Sequence, residues 1–277
     1  MMPGRARFAF TVLAFGYAFL YLPIALVILY SFNESRMVTV WAGFSTKWWS
    51  ALFANEAMLS AAWLSLRIAL VSATVAAIIG LAAGYVLARV PRFFGRTLFG
   101  GLVIAPMVMP EVVMGISMLL LFVGSDQIMG WPNRGFLTIT IAHITFTMAY
   151  VTVVVQSRLA SFDDSLEEAA LDLGARPAKV FFRITVPLIL PAILSGWLLA
   201  FTLSWDDLVV TQFVSGPGSN TLPMVIFSRV RLGVSPVVNA LATIMVLIVA
   251  LGVVLSAVLM RRQEQRRKRE EQMAAAG

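Results

Sequence analysis

The 277 residues predict an all-α integral membrane protein with six transmembrane helices and both termini in the cytoplasm, organised as one domain over 1–277. Three observations carry that prediction. The composition is 60% hydrophobic and only 13% charged, with a mean hydropathy of +0.87, whereas soluble domains have about 45–50% apolar and about 25% charged residues. The apolar residues form uninterrupted blocks as long as the roughly 20 residues a helix needs to cross a bilayer. The basic residues sit in short segments between those blocks, which suits membrane flanks and argues against a nucleic-acid partner despite the net charge of +7.

The blocks are 8–32, 64–88, 98–124, 135–156, 188–211 and 238–260. The first follows Arg5 and Arg7, is too long for a signal-peptide core and has no small-residue cleavage site after it, so an uncleaved span is expected. The loop after it holds Trp41, Trp48 and Trp49, placed either at lipid headgroups or packed within the loop. The second block carries Gly80 and Gly84 beside Ala76 and Ala83, a small-residue pattern that favours close helix packing. In the third, Pro106 and Pro110 each remove a backbone donor, so a kink or break is expected before Glu111. The fourth contains His143, the single histidine, read as a helix-to-helix hydrogen-bonding residue. The fifth ends in Asp206-Asp207, and an outer turn at 215–220 leads to a short interfacial helix at 222–232. A basic tail, 261–277, follows the sixth as a solvated charge run, with Arg261 to Arg269 expected near the lipid headgroups.

Six spans put both termini on one side. With that side inside, all the basic residues except Arg36, Lys47, Arg67, Arg134, Arg229 and Arg231 are cytoplasmic, fifteen of the 21, as the positive-inside rule requires.

One inner loop, 157–187, is too densely punctuated to be a passive linker. Ser165-Leu166-Glu167-Glu168 has the form of a capping box, predicting a helix from Leu166. Gly174 suits the left-handed position past a helix end, and Pro177 suits the first turn of the next helix. A first helix about 12 Å long is marginal alone in water, so it needs a partner surface. Leu166, Ala169, Ala170 and Leu173 form one apolar stripe, to be covered either by the protein's own bundle or by a docking partner.

Glu168-Ala169-Ala170, Gly174 after three further residues, and then Ile184-Thr185-Val186-Pro187 resemble the EAA loop of permease subunits in ATP-binding-cassette importers. Val186 stands where that pattern usually has Leu. The resemblance extends along most of the chain to the putrescine/spermidine permeases through Tyr30-Ser31-Phe32-Asn33, Val40-Trp41-Ala42-Gly43, 195–204 and 213–218, with Trp205 a departure. It implies a type I importer (MetI-like) fold in a bacterial inner membrane. It also implies a coupling role for Glu168, Ala169, Ala170, Gly174, Ile184 and Pro187. The implied partners are a second homologous permease, a cytoplasmic ATPase dimer holding ATP and Mg, and a periplasmic polyamine-binding protein.

Carboxylates within a span cost on the order of 2.5–3.5 kcal/mol and usually face a cavity or a partner. Asp206, Asp207 and Glu111 therefore mark a candidate substrate path in the outer half of the membrane, with Arg67 as the nearby basic group. If Arg67 neutralises one acid, the excess negative charge suits a dication such as putrescine. Each acid could instead serve structure, by capping a helix or bonding a neighbour. There is no cysteine and no Gly-rich phosphate loop with its Lys and Ser/Thr, so no cofactor or metal is expected on this chain and ATP hydrolysis belongs to another subunit. The remaining alternatives are a permease of the same fold for another solute, an ATP-independent transporter, and a membrane enzyme. The ATP-independent transporter gives the ordered inner loop no role, and the enzyme lacks a nucleophile and base set.

Overall fold

The computed structural model describes residues 3–37, 40–90, 92–161, 163–232, 235–248 and 250–251, with the side chains of 3–6 and 232 left aside. The predicted continuation of the sixth span beyond 251 and the basic tail lie outside the described residues. In chain order the helices are α1 Pro3–Tyr30, α2 Lys47–Phe53, α3 Glu56–Arg89, α4 Arg96–Val108, α5 Glu111–Met129 and α6 Phe136–Ala160. There follow α7 Ser165–Asp172, α8 Pro177–Val180, a π-helical turn Phe181–Thr185, α9 Val186–Trp205, α10 Val209–Val214, α11 Leu222–Leu232 and α12 Pro236–Ile248. Five of these segments are long and apolar enough to cross a membrane: Arg7–Tyr30, Glu56–Arg89, Glu111–Met129, Phe136–Ala160 and the continuous Pro177–Trp205.

The chain forms two compact units, Ser60–Val225 and the described parts of 1–59 with 226–277. In the first unit α6 is central. Ala73, Ala76 and Ala77 of α3 pack with Val151, Val155 and Leu159 of α6 and with Ile189 and Ala200 of α9. A second cluster joins Ile68 of α3, Phe122 of α5, Ile139 and Ala142 of α6, and Val210 and Val214 of α10. Small residues make this possible, since helix association in lipid depends on close van der Waals contact rather than on expelling water. A Cβ added at Gly80 would stand 2.7 Å from Val151 Cβ and 3.1 Å from the Met148 carbonyl oxygen; one at Gly84 would stand 3.0 Å from the Thr152 carbonyl oxygen. The expected small-residue seam is therefore the α3–α6 contact.

In the other unit, the segments 30–33 and 40–43, both part of the resemblance, are joined by hydrogen bonds. Asn33, fully buried, donates from Nδ2 to the Val40 carbonyl at 2.7 Å and accepts from the Ala42 N–H at 3.0 Å. Trp48 Nε1 donates to the Asn33 carbonyl at 2.7 Å, and Phe32 stacks between Phe44 and Trp49. Trp48 and Trp49 are packed within the loop, whereas Trp41 is 45% exposed and meets the Tyr30 ring edge-on. No residue in the apolar window of α1 is buried by the described residues, as in a lipid- or partner-facing helix.

One expectation is met and two need correction. The third block is broken before Glu111, as expected: α4 ends at Val108, Met109 and Pro110 are extended, and α5 begins at Glu111. Pro110, with φ −57° and ψ 134°, sets the break, so Glu111 occupies a helix start rather than mid-span. The fifth block is likewise shorter and longer at once: its helix reaches back to Pro177 and stops at Trp205, ahead of the two aspartates. The Ser165 capping box does not form. The Ser165 N–H donates to Asp163 Oδ1 at 3.0 Å, and the Glu167 and Glu168 N–H groups both donate to the Asp164 carbonyl at 3.0 Å, so Asp164 takes the cap position. The Ser165 N–H bond holds the exposed Asp163 carboxyl below the usual carboxylate range.

Candidate functional site

The loop 157–187 forms the helix, turn and helix that its punctuation predicted. Gly174, at φ +81°, turns the chain out of α7, and the Ala175 N–H returns to the Ala170 carbonyl at 3.0 Å to close the helix end. Pro177 opens α8. Leu166, Glu168, Ala169 and Leu173 are exposed and Ala170 is half-buried; Leu173 is 90% exposed. The apolar stripe is thus left uncovered by the chain's own described residues. Ile184 is half-buried in the π-helical turn, and Pro187, the second residue of α9, is exposed.

The opposite face of α7 is held by residues that sequence reasoning did not assign to the site. Glu167 is buried: its Oε1 accepts from the Thr185 hydroxyl at 2.7 Å, and its Oε2 lies 3.2 Å from Arg89 Nε. Arg89 also pairs through Nη1 with Asp164. In the sequence Arg89 reads as a membrane-flank charge and Glu167 as an acid of the Ser165-Leu166-Glu167-Glu168 pattern, beside the apolar stripe. The only local hint was that Glu167 lies off the apolar stripe, on the face a docked helix turns toward its own protein.

Glu111, Asp206 and Asp207 converge. A cavity of about 470 Å³ is lined by these three together with Pro106, Pro110, Met114, Phe146 and Tyr150, and among the described residues no Lys or Arg contributes to it. Two interrupted helices place the carboxylates there, at the α4–α5 break and the α9–α10 break.

The acids have different surroundings. Asp207 is tied down: its Oδ2 accepts from the Thr211 N–H at 2.8 Å and the Thr211 hydroxyl at 2.6 Å, and lies 3.2 Å from His143 Nε2. His143, 1% exposed, also approaches Thr211 Oγ1 at 3.0 Å and, through Nδ1, Ser204 Oγ at 2.7 Å; Ser204 Oγ is 2.9 Å from Ser72 Oγ. With a proton on Nε2, Nε2–H faces Asp207 and Thr211 while Nδ1 accepts from Ser204. The network links α3, α6, α9 and α10, so His143 does join helices. Asp206 and Glu111 are exposed to the cavity, and neither has an ion-pair partner among the described residues. Arg67 is not their counter-ion, since its guanidinium lies over the Phe136 ring, 5.0 Å from the centroid. Trp205 continues a stack with Phe201 and Trp197 along α9 and leaves the aspartates free of its ring.

Residues 79–269 match the family described as binding-protein-dependent transport system inner membrane component. The chain belongs to that family. Over 241 residues, 87% of this chain and 86% of the relative, it is 56% identical to the putrescine transport system permease protein PotI of Escherichia coli. It is 44% identical to the spermidine/putrescine transport system permease protein PotC of Haemophilus influenzae over 91% of this chain and 94% of that one. Among solved structures, it is similar to a chain of a bacterial ABC transporter involved in the import of the acidic polysaccharide alginate (TM-score 0.71, 15% identity, 94% of this chain and 98% of that one). A chain of the MetNI methionine ABC transporter matches at TM-score 0.59 and 16% identity, over 74% of this chain and 94% of the other. The fold is therefore the all-helical permease fold of ABC importers, and the chain is a transport component rather than an enzyme.

Proposed function

We propose that this chain is a permease subunit of an ATP-driven importer that moves a polyamine, putrescine foremost and spermidine next, across a bacterial inner membrane into the cytoplasm. The observation that carries the cargo is the cavity with two carboxylates, Glu111 and Asp206, lacking ion-pair partners among the described residues. A diammonium chain supplies the two missing charges, and the Phe146 and Tyr150 rings offer it cation–π contact. The high identity to a putrescine permease supports the same reading.

The chain acts as one permease domain with six transmembrane helices, α12 opening the sixth, and both termini in the cytoplasm, supported by the excess of basic residues on that side. It pairs with a second homologous permease and receives cargo from a periplasmic polyamine-binding protein. The exposed stripe of α7, with Glu168, Ala169, Ala170 and the turn at Gly174, docks on a cytoplasmic ATPase dimer, with Ile184 and Pro187 at the root of the next helix. ATP and Mg act there, on the ATPase. Closure of the ATPase moves α7 as a rigid body and opens the path outward; hydrolysis reverses it.

The test is competition of ATP-dependent uptake in the reconstituted complex by diamines, triamines, amino acids and sugars. Competition by diamines and triamines alone supports the proposal. Competition by an amino acid or sugar instead assigns another solute to the same fold.

A further inference from the structure

We propose that Arg89 is a positioning residue for energy coupling: it clamps the docking helix to the membrane helices, so that movement of α7 reaches the acidic cavity. This rests on the reading of α7 as the surface that meets the ATPase. The clamp has two arms. Arg89, the last residue of α3, pairs with Asp164 and Glu167 at the start of α7, and its side chain is only 13% exposed. Glu167 in turn accepts from Thr185, fully buried in the π-helical turn that leads into α9. A buried carboxylate held by a guanidinium on one side and a hydroxyl on the other is costly to leave unpaired, so the contact resists separation and transmits displacement.

Both helices gripped by the clamp reach the cavity's supports. α9 runs from Val186, next to Thr185, to Trp205, just ahead of Asp206, and α3 carries at its middle Ser72, whose hydroxyl meets Ser204 and through it His143 and Asp207. Pulling α7 therefore loads two helices that converge on one polar network. A π-turn at the foot of α9 adds a place where the register can shift without breaking the helix. Spatial continuity alone does not establish coupling, so the readout must be coupling itself.

The experiment compares wild type with Arg89→Gln, Arg89→Lys and Thr185→Val in the reconstituted complex of permeases, ATPase and binding protein. Thr185→Val keeps the side-chain volume and removes only the hydroxyl. Each variant also carries Leu173→Cys, a unique thiol in a chain without cysteine, so that cross-linking to the ATPase reports docking. The ratio of putrescine taken up to ATP hydrolysed, per docked complex, should fall about tenfold in Arg89→Gln and about threefold in Thr185→Val. Arg89→Lys should recover part of the loss, since an ammonium keeps the charge but not the fork that reaches both acids. Docked Arg89→Gln and Thr185→Val complexes with the wild-type ratio would overturn the clamp while leaving the docking reading intact. No cross-link in the wild type would overturn the docking reading and the clamp together. If Arg89→Gln does not assemble, the Thr185→Val ratio decides.

Discussion

Replacing Asp207 by Ala should destabilise the protein, and replacing its neighbour Asp206 by Ala should not. The Asp207 carboxylate accepts two short bonds from Thr211, at 2.8 and 2.6 Å, a weaker one from the Val210 N–H at 3.3 Å, and faces His143 at 3.2 Å. Thr211 is fully buried, so its N–H has no water to turn to. Charge-assisted bonds of this kind contribute about 1.5 kcal/mol each at the low end, and losing the two short ones costs about 3 kcal/mol. His143 contributes little to the loss, because its Nε2 keeps Thr211 Oγ1 at 3.0 Å. Asp206 accepts no side-chain bond of this kind, and its removal should stay within about 0.5 kcal/mol. The assay is thermal unfolding of the purified permease complex in detergent, with both variants measured beside wild type. A clear drop in midpoint for Asp207→Ala and none for Asp206→Ala is expected. Equal shifts, or a larger one for Asp206→Ala, would refute the division of the two aspartates into a structural and a path residue.

Other consequences follow from the same geometry. Gly80→Val would drive a side chain into Val151 and the Met148 carbonyl, costing about 1–3 kcal/mol and lowering the yield of folded protein on gel filtration. Gly174→Ile forces a β-branched residue to φ +81° with no steric neighbour to blame, a cost of about 1–3 kcal/mol; membrane insertion should persist while uptake per ATP falls, and normal uptake would count against the docking geometry. Ser204→Ala removes the partner of both His143 Nδ1 and Ser72 Oγ, at about 1–2 kcal/mol, read as a lower unfolding midpoint in detergent.

Local physics made much of this legible in the sequence. Hydropathy located the long helices, Pro106 and Pro110 announced the break before Glu111, and Gly174 and Pro177 marked the turn between α7 and α8, because each effect acts within a few residues. The capping box at Ser165 failed for an equally local reason: Asp163 captures the Ser165 N–H first, and the cap moves to Asp164. Long-range pairs were beyond such reasoning. Arg89 meets Glu167, and His143 meets Ser204 and Asp207, across dozens of residues, and nothing in the sequence near Arg89 distinguishes a clamp from a membrane-flank charge. Arg67 shows the reverse error, a cation assigned to the acids by proximity along the spans that instead stacks on Phe136. The acids themselves were found because charge inside an apolar block is expensive wherever it occurs, but which of them is bonded and which is bare required the structure.

The central claim is that unpaired carboxylates in the cavity carry a polyamine. Its most direct test is ATP-dependent uptake of labelled putrescine by the reconstituted complex, wild type against Asp206→Asn at matched assembly. The expected result is uptake by the wild type and a loss of about tenfold in the variant, the equivalent of about 1.4 kcal/mol, with ATP hydrolysis still stimulated by the loaded binding protein. Wild-type complexes that ignore putrescine and spermidine, or an Asp206→Asn complex that transports as well as wild type, would contradict it.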